Sequence, residues 1–183
     1  MCSSDLEAER GAMVRRFCEE EAQRLGLTSL GWRPVPVDAA VLGPLARQNA
    51  PRIEQWLVQD LAADAADVGA ANALEALLFR LRRRAVDRVR EVLGADATDL
   101  YFASISARTV VYKGMVRSEV LDRFYADLRD PRFAVPFAVY HRRFSTNTLP
   151  RWPLAQPMRL LGHNGEIKDR KSTRLNSSHL VNL

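Results

Sequence analysis

The fold and the chemistry turn on His141-Arg142-Arg143-Phe144-Ser145-Thr146-Asn147-Thr148, followed after a proline-punctuated connection by His163-Asn164-Gly165-Glu166. In the first motif Arg143 offers a planar guanidinium that grips a carboxylate through two parallel hydrogen bonds, with the hydroxyls of Ser145 and Thr146 beside it. In the second, the side-chain amide of Asn164 sits next to the Gly165 N–H, a donor pair suited to holding an oxyanion. Either motif alone is a weak signal. His-Asn-Gly is more often a turn, because Asn and Gly both tolerate positive φ. Together, in this order, they suit an amino-acid substrate whose carbonyl is attacked.

Just ahead of the first motif, Phe137-Ala138-Val139-Tyr140 reads as a buried strand that delivers His141 and Arg143 to its end. Residues 100–111 alternate like a strand, Lys113-Gly114-Met115 turns the chain, and a helix is predicted over residues 118–128 with Ser118 as its cap and Asp130-Pro131 as its stop. Near the start, Val14, Phe17, Cys18, Glu21, Ala22 and Leu25 recur at helical spacing up to a stop at Gly26. Cys18 lies on that apolar side, so it reads as a packed thiol rather than a nucleophile. Gly31-Trp32-Arg33-Pro34-Val35-Pro36-Val37 predicts an edge strand, residues 41–48 a helical turn, residues 53–58 a second strand and residues 59–72 an exposed loop. Leu74, Leu77, Leu78, Leu81, Ala85, Val89 and Val92 form one stripe of a helix ending at Gly94. The opposite face carries Arg80, Arg82, Arg83, Arg84, Arg88 and Arg90. A nucleic-acid-binding module is the alternative reading of that face. Asp87 and Glu91 interrupt the run and no aromatics interleave for base stacking, so it reads as a solvated face and no nucleic-acid partner is expected.

Helices and short strands mixed in 183 residues, without repeats, indicate one α+β domain, and 47% hydrophobic residues suffice for a core. The ends read differently. Asp169-Arg170-Lys171-Ser172-Thr173-Arg174-Leu175-Asn176-Ser177-Ser178-His179 has neither apolar periodicity nor turn chemistry, and reads as the in-frame translation of a sequencing adapter. Cys2-Ser3-Ser4-Asp5-Leu6 reads as its complementary strand. Residues 1–6 and 168–183 are therefore set aside, leaving residues 7–167 as the domain. The formal net charge of +5 then falls to about +3, ordinary for a soluble domain. Cys18 is the only remaining cysteine, so no disulfide framework is expected. No apolar run approaches the roughly 20 residues of a membrane span, and the expectation is a cytoplasmic protein without a membrane partner.

With Trp152-Pro153-Leu154-Ala155-Gln156-Pro157 between them, the two motifs resemble the glutamine amidotransferase domain of the glutamate synthase large subunit. The resemblance extends to residues 31–36, residues 104–115 (Ser104-Ile105-Ser106-Ala107-Arg108-Thr109-Val110-Val111-Tyr112-Lys113-Gly114-Met115) and residues 124–128. It implies a fragment of a four-layer αββα N-terminal-nucleophile hydrolase and L-glutamine as substrate. It also implies Arg143 as the clamp on the α-carboxylate, Asn164 and Gly165 as the oxyanion hole, and Thr146 and His141 in substrate positioning. The family's nucleophile is an N-terminal cysteine, which no residue of this chain supplies, so the fragment is expected to be inactive. The resemblance puts FMN and an iron–sulfur cluster in the remainder of the large subunit and none here. It pairs the whole with a small NADPH-oxidising subunit or with ferredoxin. Another class II amidotransferase, of the amidophosphoribosyltransferase or asparagine synthetase type, is the nearest alternative, and a non-catalytic regulatory domain a more distant one.

Overall fold

The computed structural model describes residues 3–62, 67–94, 100–142, 144 and 149–157. Two long helices, α1 (Ser3–Arg24) and α3 (Val68–Leu93), pack on each other, and between them in sequence lie β1 (Thr28–Pro34), the short α2 (Pro44–Gln48) and β2 (Glu54–Gln59). The strands pair antiparallel as a two-stranded sheet. Beyond α3 the described chain is mostly irregular, broken by α4 (Leu121–Phe124) and 3-10 turns on either side of it (Ser118–Val120, Ala126–Arg129). Among the described residues no helix is long and apolar enough to cross a membrane.

Helix α1 buries the expected stripe, with Cys18 and Ala22 fully covered. It stops because Gly26 adopts φ 76°, which lets the Gly26 and Leu27 N–H groups return to the carbonyls of Gln23 and Ala22. Its backbone begins at Ser3, inside the stretch set aside above. In the sheet, Gly31 at φ 121° accompanies a shift of register between Ser29 and Gly31, a bulge that a residue with a Cβ would strain. Trp32 and Trp56 stand opposite each other with rings stacked at 5.0 Å. Trp32 Nε1 donates to Glu19 of α1 (2.8 Å), which ties sheet to helix.

Several expectations are corrected. Residues 59–72 are not a loop throughout, because Asp67 caps Gly69 N (2.7 Å) and starts α3 at Val68, where the alanines that follow favour a helix. The stripe of α3 stops short of Val92, which is 55% exposed. Its basic face is not wholly solvated either. Arg84 Nε donates to Glu21 (2.9 Å), Arg88 donates to Glu20 (2.6 Å), and the Arg88 guanidinium lies 5.0 Å over the Phe17 ring. Residues 100–111 and 137–140 form no strand, since no described strand lies alongside to complete a ladder. Side chains take that role for the first segment: Ser106 Oγ and Ala107 N both donate to Glu75 of α3 (2.8 Å), and Val111 N donates to Ser104 Oγ (3.1 Å). Phe137 and Tyr140 are 75% and 78% exposed rather than buried.

The helix expected over 118–128 is likewise divided. Tyr125 leaves helical dihedrals to bridge with Val37, while Val120 and Phe124 still turn inward, Phe124 to the core formed with Val35, Leu42, Ala46 and Trp152. Ser118 does not cap it; the hydroxyl donates to Glu119 (3.0 Å) and accepts from Arg142 Nε (3.1 Å).

Candidate functional site

Of the residues singled out in the two motifs, His141 is described, and it lies exposed. Arg143, Ser145, Thr146, Asn164 and Gly165 lie outside the described residues, as do residues 158–183. What the structure does show is how the chain is held on either side of the first motif.

On the near side, Arg142 reaches Ser118 and forms an ion pair with Glu119 (3.0 Å). Both members of the pair are more than half exposed, so it contributes little alone. On the far side, Trp152 is buried against Phe124, its Nε1 donating to the Ala46 carbonyl (3.2 Å). Its six-membered ring covers Gly114 so closely that a Cβ there would sit 2.3 Å from Cζ3. Next to it, the buried Lys113 ammonium donates to the Pro153 carbonyl (2.8 Å) and stands 5.5 Å over the Tyr101 ring. Burial pushes the Lys113 ammonium down to about 8, and the nearby Arg82 charge acts in the same direction. The Lys113 carbonyl accepts from the Tyr125 hydroxyl (2.8 Å). Lys113 and Gly114 were legible as motif residues, but a bond to a partner 40 positions ahead in the chain leaves no local signal.

A second polar cluster lines an open cleft of about 380 Å³ beside the sheet. Arg33 forks onto Asp127, the Tyr112 hydroxyl donates to the same carboxylate (2.9 Å), and Gln55 donates to that hydroxyl (3.1 Å). The Arg33 bonds hold Asp127 below the usual carboxylate range. Because these groups satisfy one another, the cluster acts as a clasp between β1, β2 and the 126–129 turn. Cys18 meets none of the needs of a nucleophile: it is fully buried, and burial pushes its thiol up to about 12.

The chain belongs to the class-II glutamine amidotransferases, whose family profile matches residues 2–176. The particular relatives it is similar to are glutamate synthases. The ferredoxin-dependent glutamate synthase of Cyanidium caldarium is 46% identical over 165 residues, which is 90% of this chain and 10% of that protein. Ferredoxin-dependent glutamate synthase 2 of Synechocystis sp. is 50% identical over 85% of this chain and 9% of its own length. The large chain of the NADPH glutamate synthase of Azospirillum brasilense is 42% identical over 86% of this chain and 10% of its own. The chain thus spans about a tenth of the length of these curated relatives.

Proposed function

We propose that residues 7–167 are an internal piece of the glutaminase domain of a glutamate synthase, the part that carries the glutamine clamp and the oxyanion hole. The observation that carries this reading is identity of 42–50% to glutamate synthases along most of the chain, together with the two motifs at its end. In this reading Arg143 grips the α-carboxylate of L-glutamine, while Thr146 and His141 help to position it. A cysteine thiolate from elsewhere in the domain attacks the side-chain amide carbon. Asn164 and the Gly165 N–H stabilise the tetrahedral oxyanion, ammonia leaves, and water hydrolyses the resulting glutamyl thioester. The fold proposed for the whole domain is the four-layer αββα arrangement.

The rest of the reading concerns the complete protein. Ammonia passes to a domain with FMN and an iron–sulfur cluster, where it is combined with 2-oxoglutarate to give glutamate in the cytoplasm. Electrons come from ferredoxin or from a small NADPH-oxidising subunit. A closed path for ammonia matters because free ammonia at neutral pH becomes ammonium, which is not a nucleophile.

Steady-state glutaminase kinetics on the full-length protein test the assignments. Asn164→Ala is expected to lower kcat by roughly 10²–10³ with a smaller change in KM, because that donor acts on the transition state. Arg143→Ala is expected chiefly to raise KM, because the carboxylate is held alike in ground and transition states. Equal effects on kcat and KM in both variants would overturn the roles.

A further inference from the structure

A groove of about 400 Å³ runs between α2, with the residues just ahead of it, and residues 115–120. Leu42, Ala46 and Val120 form its buried floor, and Leu45 and Met115 stand along its sides. Because α2 turns Ala46 inward, Leu45 beside it stays 63% exposed. Arg117 lines the same groove and is exposed. Among the described residues its guanidinium enters no ion pair, and no carboxylate lines the groove. We propose that this groove is a docking surface for a segment of the protein outside these 183 residues, one that lays apolar side chains on Leu42, Ala46 and Val120 and sets a carboxylate against Arg117. This rests on the functional reading above, in which the chain is a piece of a longer protein.

Length, exposure and charge select that occupant. The chain spans about a tenth of the length of its curated relatives, so in this reading most of the folded protein lies outside it and packs on part of its surface. A site for a small molecule encloses most of its ligand, and a molecule seated over Leu42 and Val120 would leave Leu45 in water. A packed chain covers floor and side together. A second copy is disfavoured by charge, because a two-fold interface sets the same patch on both partners, and here that patch carries Arg117 without a carboxylate of its own. Covering Arg117 costs free energy unless a carboxylate meets its fork, which is why the docked segment is assigned an acidic residue beside its apolar ones.

The test compares hydrogen exchange of residues 41–46 and 115–120 in the full-length protein and in the 183-residue chain. These amides are expected to exchange about tenfold more slowly in the full-length protein. In that protein Leu45→Asp should return them to within about threefold of their rates in the shorter chain. In the shorter chain the same change should leave the urea midpoint where it was, because the side chain there is largely exposed. Arg117→Glu should speed exchange in the full-length protein roughly threefold, and Arg117→Lys, which keeps the charge, much less. Equal rates in the two wild-type proteins overturn the proposal, as does a midpoint that falls with Leu45→Asp, which would assign that residue to the chain's own packing. Slow exchange already present in the 183-residue chain also overturns it: the groove is then covered by the chain's own residues or, where protection rises with concentration, by a second copy. A full-length protein that releases no ammonia from glutamine instead overturns the functional reading, and the exchange comparison in the same sample still decides whether the groove is covered.

Discussion

Gly114 carries a constraint that no property of glycine in isolation would reveal. Its φ lies outside the left-handed region, yet a Cβ would meet Trp152 Cζ3 at 2.3 Å and Cε3 at 2.9 Å, closer than any relaxed carbon contact. Trp152 cannot retreat easily, because it is 4% exposed and holds the Ala46 carbonyl. Gly114→Ala is therefore expected to cost about 1–3 kcal/mol in urea unfolding, the usual range for overpacking a dense site. A midpoint unchanged from the wild type would mean that the ring moves freely. At Cys18 the expectation concerns reactivity. A thiol raised to about 12 and without exposed surface should resist a disulfide reagent at pH 8 in the folded chain and react in denaturant. Fast labelling of Cys18 in native buffer would contradict its buried placement on α1. That it packs was legible from its helical phase alone. Gly114 was legible as part of a motif, but the partner that makes glycine necessary, Trp152, lies far along the chain and could not be read there.

Between elements, the junction of α1 and α3 shows where reading a sequence succeeds and where it fails. The apolar phases of both helices are local properties of period 3.6, and the buried residues Phe17, Cys18, Ala22, Leu78, Leu81, Ala85 and Val89 follow them. The pairing of Arg84 and Arg88 with Glu21 and Glu20 depends on how the two helices cross, which no spacing within either one encodes. The failures over residues 100–111 and 137–140 have the same origin. Alternation marks a chain that could be a strand, but a ladder needs a neighbour at the right distance, and here Glu75 and the Ser104 and Ser106 hydroxyls hold the first segment instead. Of the site, the residue types were legible, whereas the fastening of Arg142 and Trp152 to residues 113–119 was not. Glu21 gives the test at this scale. It is 3% exposed with arginines on both helices, so Glu21→Ala leaves cationic groups without their carboxylate. Since Arg84 is about half exposed and can turn to water, the expected loss is moderated to about 1–3 kcal/mol. A double-mutant cycle with Arg84→Ala should show coupling, and strict additivity of the two losses would show that the pair contributes nothing across the helix contact.

For the molecule as a whole, the buried Lys113 makes stability depend on pH in a direction opposite to that of an ordinary salt-bridged lysine. Its ammonium titrates at about 8 in the folded chain because burial and Arg82 disfavour the charge, against 10.5 when free. Below pH 8 both states hold the proton, and the cost of keeping that charge inside is fully present. Between pH 8 and about 10 the folded state releases it while the unfolded state retains it, so the unfolded state binds more protons and stability rises with pH. Above pH 10 the sign reverses. Tyr101, pushed up to about 12 by burial, and Tyr125, raised further by burial, keep their protons when the unfolded chain loses them. Their contribution is complete below pH 10 and is lost as pH climbs through the folded values. The Cys18 thiol, pushed up to about 12 by burial against 9.0 when free, likewise keeps its proton in the folded chain and offsets the Lys113 rise above pH 9. Unfolding free energies measured by denaturant titration from pH 7 to 11 should therefore rise from pH 8 and reach a maximum between pH 9 and 10. The rise before it should be on the order of 1–3 kcal/mol, since each pH unit between the folded and unfolded titration points corresponds to about 1.4 kcal/mol. Lys113→Met should abolish the rise and keep the later fall. A variant that shows the same rise as the wild type would locate the titrating group elsewhere, and would mean that the Lys113 ammonium is not confined between the Tyr101 ring and the Pro153 carbonyl.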